Sequence, residues 1–219
     1  MLAIAILSCD SGDEVFVQES KEYLPLRKGA FFIYDVTETQ YTLGQSESFN
    51  YEIKMEVVDS FPDFEGDYRY VIFRSRKNEG ENDFDYIDTW SARVNSREIV
   101  VNEENVSFLK LKTPVKQGDQ WNGNTYNAMF EEFYKAKEVS VSKIINGITF
   151  NDCIVVEQKN NEDFIVALDQ RTEIYAHGIG LVEKQVKKLN YCSVGPCLGQ
   201  QQVESGVILQ QTIKSYGVE

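Results

Sequence analysis

The chain has 219 residues, 35 acidic side chains against 22 basic ones, and a net charge of −13. That balance argues against nucleic acid and anionic head groups as partners, because phosphate recognition needs clustered cations and no basic stripe with interleaved aromatics occurs. The length fits one domain with a sizeable core, and past the first few residues no run reaches the roughly 20 apolar residues of a membrane helix.

Met1 to Leu7 form a short apolar run that leads into Ser8-Cys9 and then at once into Asp10-Ser11-Gly12-Asp13-Glu14. Ile6-Leu7-Ser8-Cys9 resembles the lipobox of bacterial lipoproteins. In that motif a small residue precedes the cysteine that is acylated and becomes the first residue of the mature protein. On this reading residues 1–8 are a partial signal segment, Cys9 is the lipidation site, residues 9–22 are a flexible acidic tether and residues 23–219 are a single β domain. No Lys or Arg precedes the apolar core, and eight residues cannot hold a basic region, an apolar stretch of about 7–15 residues and a cleavage site. The reading frame is therefore expected to start upstream. A buried strand is the alternative, and the acidic segment after Cys9 argues against it. Each buried methylene of an acyl chain contributes about 0.8 kcal/mol, so a multiply acylated Cys9 would anchor the domain to a bilayer.

From there the dominant period is two. Phe32, Tyr34 and Val36 alternate briefly; Phe49, Tyr51, Ile53, Met55 and Val57 then fall on one face with polar residues between them, the pattern of a half-buried antiparallel strand. Phe61-Pro62-Asp63 reads as a loop, Tyr70-Val71-Ile72-Phe73 as a strand covered on both faces, and 78–83 as another loop. Phe84, Tyr86, Trp90, Ala92 and Val94 resume the alternation, with Asp88 as its one polar break. The single helix candidate is Asn127–Lys137, where Met129, Phe130, Phe133 and Tyr134 have helical spacing. Asn146-Gly147 predicts a two-residue hairpin, because type I′ geometry needs positive φ at both positions. Cys153-Ile154-Val155-Val156 reads as a central strand and Asn160-Asn161-Glu162-Asp163 as a loop.

Candidate chemistry is sparse. Glu81, Asp83 and Asp85 could converge on a hard cation such as calcium, but the EF-hand spacing is absent and a solvated acidic edge that deters strand pairing explains them equally well. Trp90 and Trp121 suit either sugar stacking or core packing, and their alternating positions favour the core. His177, the only histidine, lies beside Gly178-Ile179-Gly180 and reads as part of a tight bend, while Ser193 and Cys153 are nucleophile types without a motif. Cys192 and Cys197 flank Ser193-Val194-Gly195-Pro196, a turn that could close a local disulfide in an oxidising compartment; elsewhere they would be free thiols. Too few further ligands exist for zinc, and Cys153 reads as a small core residue. With 35 acids, a catalytic carboxylate pair is neither indicated nor excluded.

Leu24-Pro25-Leu26-Arg27-Lys28-Gly29-Ala30-Phe31-Phe32 is echoed by Thr113-Pro114-Val115-Lys116-Gln117-Gly118-Asp119-Gln120-Trp121, suggesting two halves of one sheet system. Tyr23 to Gly29, Gly118 to Asn124, Glu173 to Val182, and Leu189-Asn190-Tyr191-Cys192 through Cys197 into Glu204-Ser205-Gly206 resemble an uncharacterised family of exported lipoproteins from the Bacteroidetes phylum. The acidic run at Asp10, Asp13 and Glu14 is similar to the surface-export signal of lipoproteins in that phylum. The resemblance implies outer-membrane attachment, facing the periplasm or the cell surface.

The expectation is an all-β antiparallel meander forming a curved sheet or half-barrel, with a two-sheet sandwich as the alternative. The expected function is a non-catalytic binding or assembly module without a cofactor, held to the lipid bilayer through acylated Cys9 and engaging an unknown envelope protein or ligand. The alternatives are a carrier of an apolar ligand and a carboxylate-based hydrolase.

Overall fold

The computed structural model describes residues 18–64 and 66–219, so Cys9, the expected signal segment and the acidic run after it lie outside the described residues. The first six strands are β1 (Ala30–Thr42), β2 (Gln45–Pro62), β3 (Tyr68–Asn78), β4 (Asp85–Val94), β5 (Glu98–Glu103) and β6 (Val106–Lys112). The second six are β7 (Gln120–Asn122), β8 (Phe133–Ile145), β9 (Ile148–Asp163), β10 (Ala167–Ala176), β11 (Gly180–Tyr191) and β12 (Val203–Val218). All pair antiparallel in one sheet of order β6-β5-β4-β3-β2-β1-β12-β11-β10-β9-β8-β7. The sheet curls into a nearly closed barrel rather than splitting into a sandwich.

Two six-strand meanders meet where β1 pairs with β12. The echoed segments stand at the start of each meander and make the same turn. Ala30 N–H donates to Arg27 O with Gly29 at φ 82°, and Asp119 N–H donates to Lys116 O with Gly118 at φ 94°. That is type II geometry, which needs positive φ at its third position and so favours glycine there. The far edges, β6 and β7, are bridged by Leu109 N–H donating to Gly123 O (2.8 Å) and by the Trp121 indole donating to Leu109 O (3.0 Å).

Alternation places the core inside. Along β1, Ala30, Phe32, Tyr34 and Val36 are buried while their neighbours are not. The Asn146-Gly147 hairpin forms with both residues at positive φ. Its arm bends at Ser140 and Asp152, which are also left-handed, and returns to β12, where the Asn146 amide donates to the Thr212 hydroxyl (3.0 Å).

Several sequence expectations change. Phe61 and Pro62, expected in a loop, end β2 and pair with Arg69 and Tyr68 of β3, and Phe73 is exposed, so Tyr70–Phe73 is not covered on both faces. Asn127–Lys137 is not a helix: a loop runs to Glu132 and β8 begins at Phe133. Asparagine side chains take over the backbone groups that a helix would pair. Asn124 donates to Phe130 O, Asn127 donates to Ser107 O, and Asn127 Oδ1 accepts from Met129 N–H. Asn160-Asn161-Glu162-Asp163 is strand, the end of β9, because it pairs with Ala167–Gln170 of β10. Gln18–Glu22, assigned to the tether, are packed: Ser20 is fully buried, its hydroxyl 2.8 Å from that of Thr113, and Val115 N–H donates to Gln18 Oε1.

Candidate functional site

The lumen is layered. Towards the end where Gln18 packs it is apolar, and above that layer lies a set of inward-facing charges. Lys110, only 5% exposed, stands between two carboxylates, 2.6 Å from Glu103 and 2.9 Å from Glu173. Lys184 approaches the same pair at 3.8 and 3.9 Å, and the Tyr175 hydroxyl donates to Glu173 at 2.7 Å. Two strands along from Glu103, Arg74 donates to Asp88 (2.7 Å) and stacks 3.9 Å over Trp90. Asp88, the polar break in the β4 pattern, thus marks the height at which the lumen turns from apolar to ionic.

This geometry fixes the protonation states. Burial alone would raise the carboxyl pKa of Glu103, but Lys110 and Lys184 outweigh it and hold the value down to about 2. Glu173 is lowered against burial by the same two cations. Burial would lower the ammonium pKa of Lys110, and its two carboxylate neighbours raise it instead. Burial pushes the Tyr134 phenol up to about 12 and the Tyr175 phenol well above its ordinary value. Glu103 and Glu173 are a convergent pair of acids, the arrangement a glycoside hydrolase uses, but such an enzyme needs one of them protonated near neutrality. Here both are held ionised, and the Lys110 ammonium stands between them. The lumenal cavity is about 60 Å³, against the few hundred Å³ of a typical ligand pocket, so an apolar cargo has no room in this conformation.

The second feature lies at the end of the barrel where β1 finishes, opposite Gln18. Three neighbouring connections present large apolar side chains to solvent: Leu43 between β1 and β2, Phe164-Ile165-Val166 between β9 and β10, and Val194 and Leu198 between β11 and β12. They are tied together by Gly44 N–H donating to Glu204 O and Tyr191 N–H donating to Val166 O, both 2.9 Å. Leu43 is 86% exposed and sits at φ 52° in a two-residue turn with Gly44. A branched aliphatic residue is costly in that conformation, where Asn, Asp or Gly would serve the turn better. Glu47, Glu162, Asp163 and Glu204 accompany these side chains, and no Lys or Arg occurs in 36–50, 160–170 or 189–206.

The residues singled out from sequence are scattered. Cys192 and Cys197 form the local disulfide, with Cα atoms 5.8 Å apart, and it clips the β11–β12 connection. Cys153 is a fully buried free thiol. Glu81, Asp83 and Asp85 do not converge: the Glu81 carboxylate closes the β3–β4 turn by accepting from Asn78 N–H, and among the described residues no three metal-ligating side chains gather. His177 lies in the β10–β11 turn, its ring edge-on to Tyr23 (5.5 Å) and 3.4 Å from Glu22, while Ser193 is exposed at the opposite end of β11. Trp121 is interior, and Trp90 lies beneath Arg74. Sequence reasoning missed the lumenal network and the exposed connections, although Asp88 signalled the first.

No protein-family model and no curated protein matches the chain. Among solved structures it is similar to an inferred exported protein with a YmcC-like fold from Bacteroides fragilis, at 9% identity and a TM-score of 0.48, covering 87% of this chain and 96% of that one. It is also similar to an inferred lipoprotein from Parabacteroides distasonis, at 9% identity and a TM-score of 0.49, covering 89% of this chain and 98% of that one. At that identity neither likeness assigns a role to any residue.

Proposed function

We propose that the protein is a non-catalytic binding or assembly module, anchored in the outer membrane through acylated Cys9 and engaging an envelope protein with the far end of its barrel. Membership of the exported-lipoprotein family of Bacteroidetes that the sequence resembles is part of this reading. The observation that carries it is the cluster of exposed apolar side chains on three adjoining connections, with Leu43 kept in a turn position that stability alone would give to Asn or Gly. Contiguous exposed apolar surface on a soluble domain marks interaction sites. The Cys192–Cys197 disulfide supports an oxidising, exported compartment. Eight residues separate Cys9 from Gln18, a reach of at most about 30 Å, so a lipid on Cys9 would keep the Gln18 end near the bilayer and turn the exposed connections away from it.

The test is chemical cross-linking in intact membranes of wild type and of an Ile165→Glu/Val194→Glu variant. A cross-linked partner present with wild type and lost with the variant, at unchanged melting temperature, supports the reading. The same partners with both proteins, or none with either, overturns it. Anchoring has its own test: mass spectrometry of the mature N-terminus, after expression of the full upstream reading frame in a lipoprotein-processing host, should find acylated Cys9, and an unmodified Cys9 would refute it.

A further inference from the structure

The end of the barrel where Gln18 packs holds a second concavity. It is a solvent-open groove of about 750 Å³, within the range of about 300–1,000 Å³ usual for small-molecule sites. It is lined by three tyrosines, Tyr68 and Tyr70 of β3 and Tyr216 of β12, and by Leu24 of the lead-in segment. Tyr68 is 51% exposed and Tyr216 49%, so much of each ring is not used in packing. The charges around the groove differ in their engagement. Asp67 is held by Asn95 (2.6 Å) and Arg93 (3.7 Å), and Lys21 by Glu19 (2.6 Å). Arg27, an exposed lining residue, has no ion-pair partner among the described residues.

We propose that this groove binds an acidic oligosaccharide, with pyranose rings on Tyr68 and Tyr216 and a uronate carboxylate on Arg27. The C–H face of a pyranose is apolar while its edge carries hydroxyls, so it suits an exposed aromatic ring beside hydrogen-bonding groups. A planar guanidinium grips a carboxylate with two parallel hydrogen bonds, and an Arg free of internal partners can do so without first breaking an ion pair. The net charge of −13 opposes anions over most of the surface, so the attraction for a carboxylate must come from Arg27 itself, which has no ion-pair partner among the described residues. The proposal uses neither Cys9 nor the far connections and stands apart from the anchoring and partner readings.

The experiment is isothermal titration of the purified full chain with trigalacturonate, with maltotriose as the neutral counterpart, and with a sialylated and a sulfated trisaccharide. Trigalacturonate should bind more tightly than maltotriose. Tyr68→Ala and Tyr216→Ala should each weaken it about tenfold, the scale of one lost aromatic contact, whereas Tyr68→Phe should retain it. Arg27→Gln should reduce trigalacturonate to the level of maltotriose and remove the salt dependence of wild type. No binding of any of the three acidic sugars overturns the proposal, as does binding that the two alanine variants leave unchanged. Equal binding of neutral and acidic sugars refutes the role of Arg27.

Discussion

Replacing Lys110 with Met tests the reading of the lumen most directly. In the native protein the ammonium is 5% exposed and sits 2.6 and 2.9 Å from carboxylates whose side chains are only 18% and 2% exposed. Removing it leaves both acids facing one another, with Lys184 at 3.8 and 3.9 Å as the nearest remaining cation. Breaking a buried ion pair in this way costs about 3–5 kcal/mol. The pKa of Glu103 gives an independent figure: the fall from an ordinary 4.5 to about 2 corresponds to roughly 3 kcal/mol of stability at neutral pH. For a domain of this size that loss lowers the melting temperature by roughly 6–20 °C. The pH dependence reverses as well. In wild type the depressed pKa means that the contribution of Glu103 is fully present above about pH 4.5 and is lost as pH falls towards 2. In Lys110→Met, burial acts without its main counterweight and raises the carboxyl pKa values, so protonation on going from pH 7.5 to 5 should recover stability. Circular-dichroism melts at the two pH values would show it. A loss under about 1 kcal/mol, or a variant that is less stable at pH 5 than at pH 7.5, would refute the account.

Three further outcomes follow from the same structure. Leu43→Asn creates the preferred Asn-Gly type I′ turn and should stabilise the fold by about 0.5–1 kcal/mol in denaturant melts while weakening partner cross-linking; a destabilised variant would contradict the turn argument. Gly206→Ala should cost about 2–3 kcal/mol, because φ is 133° and a Cβ would run into the carbonyl of Lys188, so a melt like wild type would count against the strand register. Cys153, fully buried and with its thiol pushed up to about 11 by burial, should resist iodoacetamide at pH 8 until the protein is unfolded; peptide mapping that finds it alkylated in the native protein would show an accessible thiol.

The strands were legible where one face is buried and the other is wet, as in Phe49 to Val57 and along β1, because the alternation is the physical signature of that placement. Pairing alone does not show in composition. The polar stretch 160–163 is strand because β10 lies beside it, and nothing in Asn-Asn-Glu-Asp announces a neighbour. The helix reading failed for a related reason: apolar spacing is informative only if the face is buried, and Met129, Phe130 and Phe133 are exposed. The Lys110 network joins β5, β6, β10 and β11, so its members are up to 81 positions apart, and only Asp88 betrayed the polar layer locally. The exposed connections escaped notice because a lone Leu43 or Val194 is unremarkable until the fold sets the three turns side by side.

The strand order carries a mechanical consequence. Around the circumference there are two interruptions: β1 and β12, the first and last strands, are neighbours that no connecting segment joins directly, and the hydrogen-bond ladder lapses between β6 and β7. Six strands separate them in either direction, so they lie on opposite sides of the ring. Where covalent continuity is missing, β1 and β12 are joined by a full-length register from Ala30–Val218 to Tyr41–Gly206. Where the ladder is thin, the chain itself crosses the gap through residues 113–119. Each kind of bond covers the absence of the other, and a force that widens the barrel must either peel a long zipper or stretch a continuous backbone.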